Sequence, residues 1–357
     1  MNMLNTLRSH ISPRPLLLCA FVCALLALCG ATASGALAGA SSKPASAPST
    51  ASAHAAASYL TGIGDEHTEM FTNPLWTQLH TKIARYIAPY DAAVRPYSLQ
   101  VAREWIGAAE AAHQQVLVAF YHSEYTPTKM PSVSVYQSDV KKFLALFPNV
   151  KQYQPWDEAN RGTIVEVIKH KKHIALVSPS PLQSAQYYKS LKSVCKGCTI
   201  VGLDVLDQPS VTPTLQYIAQ FKQAIRRIKT TMPNLWGLHN YSDTNRFQTS
   251  RTRAVLAAVP GNVWLTETGG IVQFGSAFPN KKGAGLTRAA RALSLMFKIA
   301  GSNSRIKRLY IYDWTGGGAS TVFDAGLMNA KDQPRPGYVV VCKQLHAAKC
   351  NVKTVKN

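Results

Sequence analysis

The sequence predicts an α/β fold, a single (β/α)8 (TIM) barrel, on three observations. Short apolar runs alternate with segments of helical periodicity eight times over residues 59–357. That stretch has the length of such a barrel, which takes about 250 residues and often more. Acidic residues crowd the ends of the apolar runs, and in this fold the strand ends are where chemistry is done.

The first 58 residues read as export and spacer segments. Arg8 and Arg14 flank the start of an apolar run from Leu16 to Cys29, followed by Ala31-Thr32-Ala33 and Ala36-Leu37-Ala38. A charged start, a short apolar run and a small-residue exit make a secretory signal over 1–38, too short to span a bilayer comfortably. Leu28 is bulky where a lipid anchor at Cys29 would want a small residue. Residues 39–58 are Ala, Ser and Pro with almost no large apolar side chain, so they read as a flexible linker. The expected domain is therefore 59–357, secreted, with the periplasm or cell surface as further destinations.

Within that domain, Tyr59 to Gly64 is the first strand, and Asn73-Pro74 opens a helix with Leu75, Leu79 and Ile83 at four-residue spacing. Ala84 to Ala88 is a strand; Ser98 caps a helix with Val101, Trp105, Ala109 and Ala112 on one face. Val116 to Phe120 is a buried strand, followed by a helix through Val140, Phe143, Leu144 and Phe147 that Pro148 closes. Residues 150–154 form the fourth strand, the weakest by composition. Two β-rich runs, Thr163 to Ile168 and His173 to Ser178, read as a hairpin before a helix starting near Gln183. Thr199 to Leu203 is a strand, and Thr212-Pro213 opens a helix with Leu215, Ile218, Ile225 and Ile228 on one side. Leu235 to Asn240, Val263 to Leu265 and Arg308 to Tyr312 complete the strands. Between and after them lie helices at Gln248 to Val259, around Leu286 to Phe297, and at Gly337 to His346.

Charge distribution narrows the function. The chain carries +21, and the first 58 residues hold Arg8, Arg14 and Lys43 without an acid, so the domain keeps +18. A solvated cationic exterior accounts for most of that; attraction to an anionic surface or glycan is the functional alternative. Of eighteen acids, eleven fall just after a predicted strand, Asp65, Glu66, Asp204 and Asp313 among them. Like charges gathered at one mouth cost stability, which favours function over solubility as the reason. Glu158 ends strand four in Trp156-Asp157-Glu158-Ala159-Asn160, and Glu267 ends strand seven in Trp264-Leu265-Thr266-Glu267-Thr268-Gly269. Two carboxyl groups delivered from two strand ends suit glycosidic bond cleavage, one protonating the leaving oxygen and the other attacking or activating water.

These two motifs resemble those of glycoside hydrolase clan A, the retaining (β/α)8 glycosidases, over residues 59 to 350; family 39 is the nearest within it. The resemblance implies Glu158 as acid/base, in a Trp-Asn-Glu-Pro-Asn type motif, and Glu267 as nucleophile. Leu238-His239-Asn240-Tyr241 is similar to the clan's His-x-Tyr, whose Tyr contacts the nucleophile. Asp313-Trp314 resembles its sugar-platform Trp, and Arg85 its strand-two Arg. The implied substrate-binding set is Arg85, His122, Trp156, Asp157, Asn160, His239, Tyr241 and Trp314, with no metal and no cofactor. Ala159 replaces the clan's proline, and Asp157 replaces an Asn that binds the 2-hydroxyl at the cleavage point. A carboxylate there can only accept hydrogen bonds, and its charge is expected to raise the Glu158 pKa.

The expected function is thus a secreted retaining glycosidase, a monomer acting on a poly- or oligosaccharide. The alternatives are a non-catalytic or weakly active glycan-binding barrel, or an inverting or lyase-type enzyme using other mouth acids. No basic run is interleaved with aromatics, so nucleic acid is not an expected partner. His170 and His173 lack a third ligand near in sequence and make a poor metal site. Lys169, Lys171 and Lys172 at the hairpin turn read as a solvated tip or as a basic lip for an anionic polysaccharide. Cys195, Cys198, Cys342 and Cys350 follow the export segment, and local pairing, Cys195 with Cys198 and Cys342 with Cys350, is expected. The second bond requires the last helix to end near Ala347-Ala348, because eight residues of helix span about 12 Å.

Overall fold

A computed structural model describes residues 59–168, 171–318 and 321–355. The expected signal and linker, and Lys169 and His170 at the hairpin turn, lie outside the described residues.

The eight expected strands are present: β1 (Leu60–Gly64), β2 (Ile83–Pro89), β3 (Gln115–Tyr121), β4 (Gln152–Gln154), β5 in two pieces (Thr199–Ile200 and Asp204–Leu206), β6 (Leu235–His239), β7 (Asn262–Thr268) and β8 (Ile306–Tyr312). All neighbours pair parallel, β1 with both β2 and β8. The ring closes through β5, whose first piece pairs with β4 and whose second pairs with β6. Residues between the pieces keep the ring closed, with Val201 N donating to Tyr153 O at 2.9 Å and Gly202 N to Leu235 O at 2.9 Å. The result is a (β/α)8 barrel.

Among the described residues one principal helix follows each strand: α1 (Pro74–Thr77), α2 (Pro96–Ala111), α3 (Val133–Leu146), α4 (Pro181–Val194), α5 (Thr212–Arg227), α6 (Ser250–Ala258), α7 (Ala284–Gly301) and α8 (Pro336–Gln344), with a short extra helix, Tyr241–Asn245, directly after β6. Their starts follow local chemistry. Ser132 and Ser180 accept the Val135 and Gln183 backbone N–H groups as N-caps, and proline sits in the first turn of α1, α2, α4, α5 and α8. Ser98 is not a cap; α2 starts at Pro96, and the Ser98 hydroxyl donates to Glu124 instead. α1 is a single turn, so the Leu75, Leu79, Ile83 stripe is not one helical face, and Ile83 opens β2.

Two features lie at the mouth. The expected hairpin pairs Ile164–Ile168 with Lys171–Leu176 between β4 and α4. A small antiparallel pair, Gln273–Phe274 with Phe323–Asp324, joins the loops after β7 and β8 and was not legible from the sequence. Both disulfides pair locally, Cys195 with Cys198 and Cys342 with Cys350. α8 ends at Gln344, earlier than the second bond strictly required, and His346 with φ 54° turns the chain back.

Side-chain alternation divides the core. Ile83, Leu117, Val201, Leu235, Trp264 and Tyr310 form one apolar cluster inside the ring, while the outward residues join the larger cluster under the helices. Trp105 of α2 shows the outer layer at work, stacked on Tyr86 of β2 with centroids 4.9 Å apart and edge-on to Phe71 at 5.1 Å. Trp105→Ala should destabilise the barrel by about 3–5 kcal/mol, as deletion of a buried aromatic does, measurable by chemical denaturation.

Candidate active site

Arg85 sits two residues beyond Ile83 on β2, so it points into the ring above the apolar cluster. Its guanidinium joins three strands. Nε donates to Gln154 Oε1 on β4 at 3.0 Å, Nη1 to Glu267 Oε2 on β7 at 2.7 Å, and Nη2 to Asp157 Oδ1 just beyond β4. Asp157 is 4 % exposed, Glu158 1 % and Glu267 4 %, so these acids are sealed from solvent.

His239 at the end of β6 is the second hub. Its Nδ1 lies 2.9 Å from Glu158 Oε1 and 3.8 Å from Glu267 Oε2; its Nε2 lies 2.9 Å from Asp204 Oδ2 and 3.8 Å from Asp157 Oδ1. Asp204, on the second piece of β5, also accepts the Thr266 hydroxyl at 2.5 Å and the Glu158 backbone N–H at 3.1 Å. Gly237 makes room for it, since a Cβ there would stand 2.1 Å from Asp204 Oδ1. The Glu158 and Glu267 carboxylate oxygens and a His239 nitrogen all lie within 4.8 Å of one another. Tyr241 completes the pair by donating its hydroxyl to Glu267 Oε1 at 3.1 Å.

The backbone at Glu158 is left-handed, with φ 42°, which is uncommon for a residue with a side chain. Asp157 N donates to Phe120 O at 2.8 Å and Ala159 N to Asp204 O at 3.1 Å, anchoring the turn on both sides of the acid. Arg161 then comes back over Glu158, its Nε 2.5 Å from Oε2.

The charges follow from this packing. Burial disfavours charge on His239, but Asp204, Glu267 and Glu158 outweigh it and hold the imidazole protonated, its pKa raised well above the ordinary value. Burial would raise Glu158, yet Arg161 and His239 together hold it below the ordinary range. Asp204 is lowered in the same way, with His239, Arg85 and Thr266 overcoming burial. Asp157 goes the other way, to about 7, because burial outweighs Arg85 and His239, with Glu267 and Asp204 adding repulsion. The sequence led us to expect the raised pKa at Glu158. The structure gives it to Asp157, where burial outweighs the bond to Arg85 and nearby acids add to it, while Arg161 covers Glu158 directly.

The remaining sequence candidates divide. Arg85, His239 and Tyr241 meet the two glutamates, and Asp157 joins them through Arg85. Asn160 is a brace, its side chain bonded to both the N–H and the carbonyl of Leu206 at 2.8 Å. His122 stands beside Tyr121 near the mouth, its ring nitrogen 3.2 Å from Ser123 O. Trp156 and Trp314 are each 2 % exposed and offer no open ring face: Trp156 stacks on Tyr187 at 5.4 Å, and Trp314 meets Tyr338 edge-on at 5.9 Å. Both lie just past the end of their strand, in turns that pack the ring against α4 and α8 instead of the mouth.

Sequence reasoning gave no role to Asp204, Gln154, Arg161, Glu66 or Tyr312. Asp204 and Glu66 carried a signal, being acids after strands; Arg161 carried none. Tyr312 donates its hydroxyl to Glu66 Oε2 at 2.9 Å, and burial with Asp65 and Glu267 nearby pushes Glu66 up to about 8. Among the described residues, two sets of side chains have metal-like spacing, Asp157 with Asp204 and His239, and Glu158 with His239 and Glu267. Both include His239.

The sequence matches no protein-family model and no curated protein. Solved structures do match the fold. Fungal β-1,4-galactanases align with a TM-score of 0.58 at 11 % identity, covering 79 % of this chain and 98 % of theirs. A family 10 glycoside hydrolase from Paenibacillus barcinonensis aligns with a TM-score of 0.54 at 11 % identity, covering 82 % and 96 %. A family 5 enzyme from Bifidobacterium longum subsp. longum, in complex with Manβ1-4GlcNAc, aligns with a TM-score of 0.53 at 12 % identity, covering 83 % and 80 %. At these identities the likeness establishes the barrel.

Arg85→Ala would leave Asp157 and Glu267 buried without their counter-charge, so it should cost about 3–5 kcal/mol of stability in denaturant titrations near neutral pH. Stability should also fall as pH rises. The folded pKa of Glu66 lies near 8 and that of Asp207 near 7, above their unfolded values, so the folded state holds protons that the unfolded chain has lost. The contribution is fully present below the unfolded carboxylate pKa and disappears as pH passes 7 to 8. A thermal melt at pH 9 should therefore lie below one at pH 5, and Glu66→Gln should narrow the gap.

Proposed function

We propose that this protein is a retaining glycoside hydrolase of clan A, nearest family 39, exported to cleave O-glycosidic bonds of a poly- or oligosaccharide. The observation that carries the reading is the closeness of Glu158 and Glu267 at the mouth, with carboxylate oxygens within 4.8 Å. Retaining enzymes hold their two carboxyl groups about 5–5.5 Å apart, whereas inverting enzymes leave about 6.5–9.5 Å for a water. The fold likeness to glycoside hydrolases supports the reading without carrying it.

In the proposed reaction Glu267 attacks the anomeric carbon. Tyr241 and Arg85 fix its two oxygens, so the nucleophile is aimed before substrate arrives. Glu158 protonates the leaving oxygen, and then, as base, takes a proton from the water that hydrolyses the glycosyl-enzyme. His239 orients Glu158 through the 2.9 Å contact to Oε1. Asp157, raised to about 7, can hold a proton near neutrality and so donate to a sugar hydroxyl. That restores part of what an Asn would supply at this position.

One observation favours a second reading, a glycan-binding barrel without turnover: the acids are sealed, and Arg161 keeps Glu158 ionised. A panel of aryl glycosides and bacterial and plant polysaccharides separates the two. The enzyme reading expects hydrolysis of at least one member, and loss of that activity in Glu267→Gln with an unchanged circular dichroism spectrum. Binding without hydrolysis, or hydrolysis that survives Glu267→Gln, would contradict it.

A further inference from the structure

Arg161 has no part in the reaction as written, yet it occupies the acid. Its side chain is only 8 % exposed, with Nε 2.5 Å from Glu158 Oε2 and Nη1 donating to the Tyr121 hydroxyl at 2.8 Å. The turn from Glu158 to Arg161 is held by Arg161 N donating to Glu158 O at 2.9 Å. Gly162, at φ 82°, then releases the chain toward the mouth hairpin.

A carboxylate paired this closely with a guanidinium has no proton to give. Glu158 Oε1 already faces His239, so a leaving oxygen must approach where Arg161 now stands. The guanidinium therefore has to move before the bond can break. Pulling a buried arginine from its anion is costly unless a second anion of similar geometry takes it, and a carboxylate or sulfate supplies that geometry. His122 does not compete for such a group: burial pushes its pKa down to about 4, so it is neutral near pH 7.

We propose that Arg161 reads an anionic group, a carboxylate or sulfate, on the leaving-group side of the substrate, and that capturing it uncovers Glu158 for catalysis. The proposal rests on Glu158 being the proton donor of the reading above. With Arg161 drawn away, Glu158 still faces protonated His239 from β6, Asp204 from β5, Glu267 from β7 with Arg85 behind it, and its neighbour Asp157. Having lost one of its two direct cations, it takes a proton from solvent and can pass it to the leaving oxygen. A polyanionic substrate also suits a chain of net charge +21, whose field draws it in. Arg161 thus acts as a specificity residue that works through Glu158.

Two aryl glycosides of the same sugar test this, one with a neutral 4-nitrophenyl leaving group and one with 3-carboxy-4-nitrophenyl. Wild type should favour the carboxylated compound by about tenfold or more in kcat/KM. Arg161→Gln should lose that preference, and the alkaline limb of its pH profile on the neutral glycoside should move to higher pH. Arg161→Lys should keep part of the preference. A preference that survives Arg161→Gln, or an alkaline limb that stays in place, would overturn the proposal. If no glycoside is hydrolysed, the glycosidase reading falls, and binding decides the role of Arg161 separately. Wild type should then bind the carboxylated compounds about tenfold more tightly than their neutral partners, and equal binding would overturn the proposal.

Discussion

Two buried cations hold the centre of this barrel together. Arg85 ties β2 to Gln154, Asp157 and Glu267, and His239 ties β6 to Glu158 and Asp204. Between them they reach four carboxylates from the ends of three strands, β4, β5 and β7. Without them those acids would repel each other in a region that excludes water, and the mouth could not stay closed. The surroundings make the same concession. Gly237 gives up its side chain so that Asp204 fits, and Glu158 accepts a left-handed backbone in return for hydrogen bonds on both sides.

The electrostatics divide the acids by task. Arg161, His239 and Arg85 hold Glu158 and Asp204 ionised, while burial and acidic neighbours push Asp157 and Glu66 up, Asp157 in spite of its bond to Arg85. Under the proposed reaction Glu158 must gain and lose a proton, so its ionised form here would be the resting state. In the Arg161 proposal specificity and activation become one event, because whatever moves Arg161 also exposes Glu158.

Much of the architecture was legible because the two hydrophobic periods differ so clearly. Strand four looked weakest for a reason that sequence could not reveal: its glutamines face inward as partners, Gln154 for Arg85 and Gln152 for Arg308. The glutamates, Arg85, His239 and Tyr241 were legible from position and motif, and the structure brings them together. Trp156 and Trp314 misled because both lie past the ends of their strands, where the strand period no longer says which way a side chain faces, and their rings pack on Tyr187 and Tyr338. Arg161 was invisible for a different reason. Its place over Glu158 depends on a positive φ at a residue that is not glycine, and no local pattern announces that.

The proposed double displacement passes through a glycosyl unit bonded to Glu267, and trapping that intermediate is the most direct measurement. Incubation with activated 2-deoxy-2-fluoro glycosides of the hydrolysed sugar, followed by peptide mass spectrometry, should find one glycosyl unit on the peptide containing Glu267. A label on another residue, or hydrolysis that inverts the anomeric configuration and leaves no label, would contradict the account.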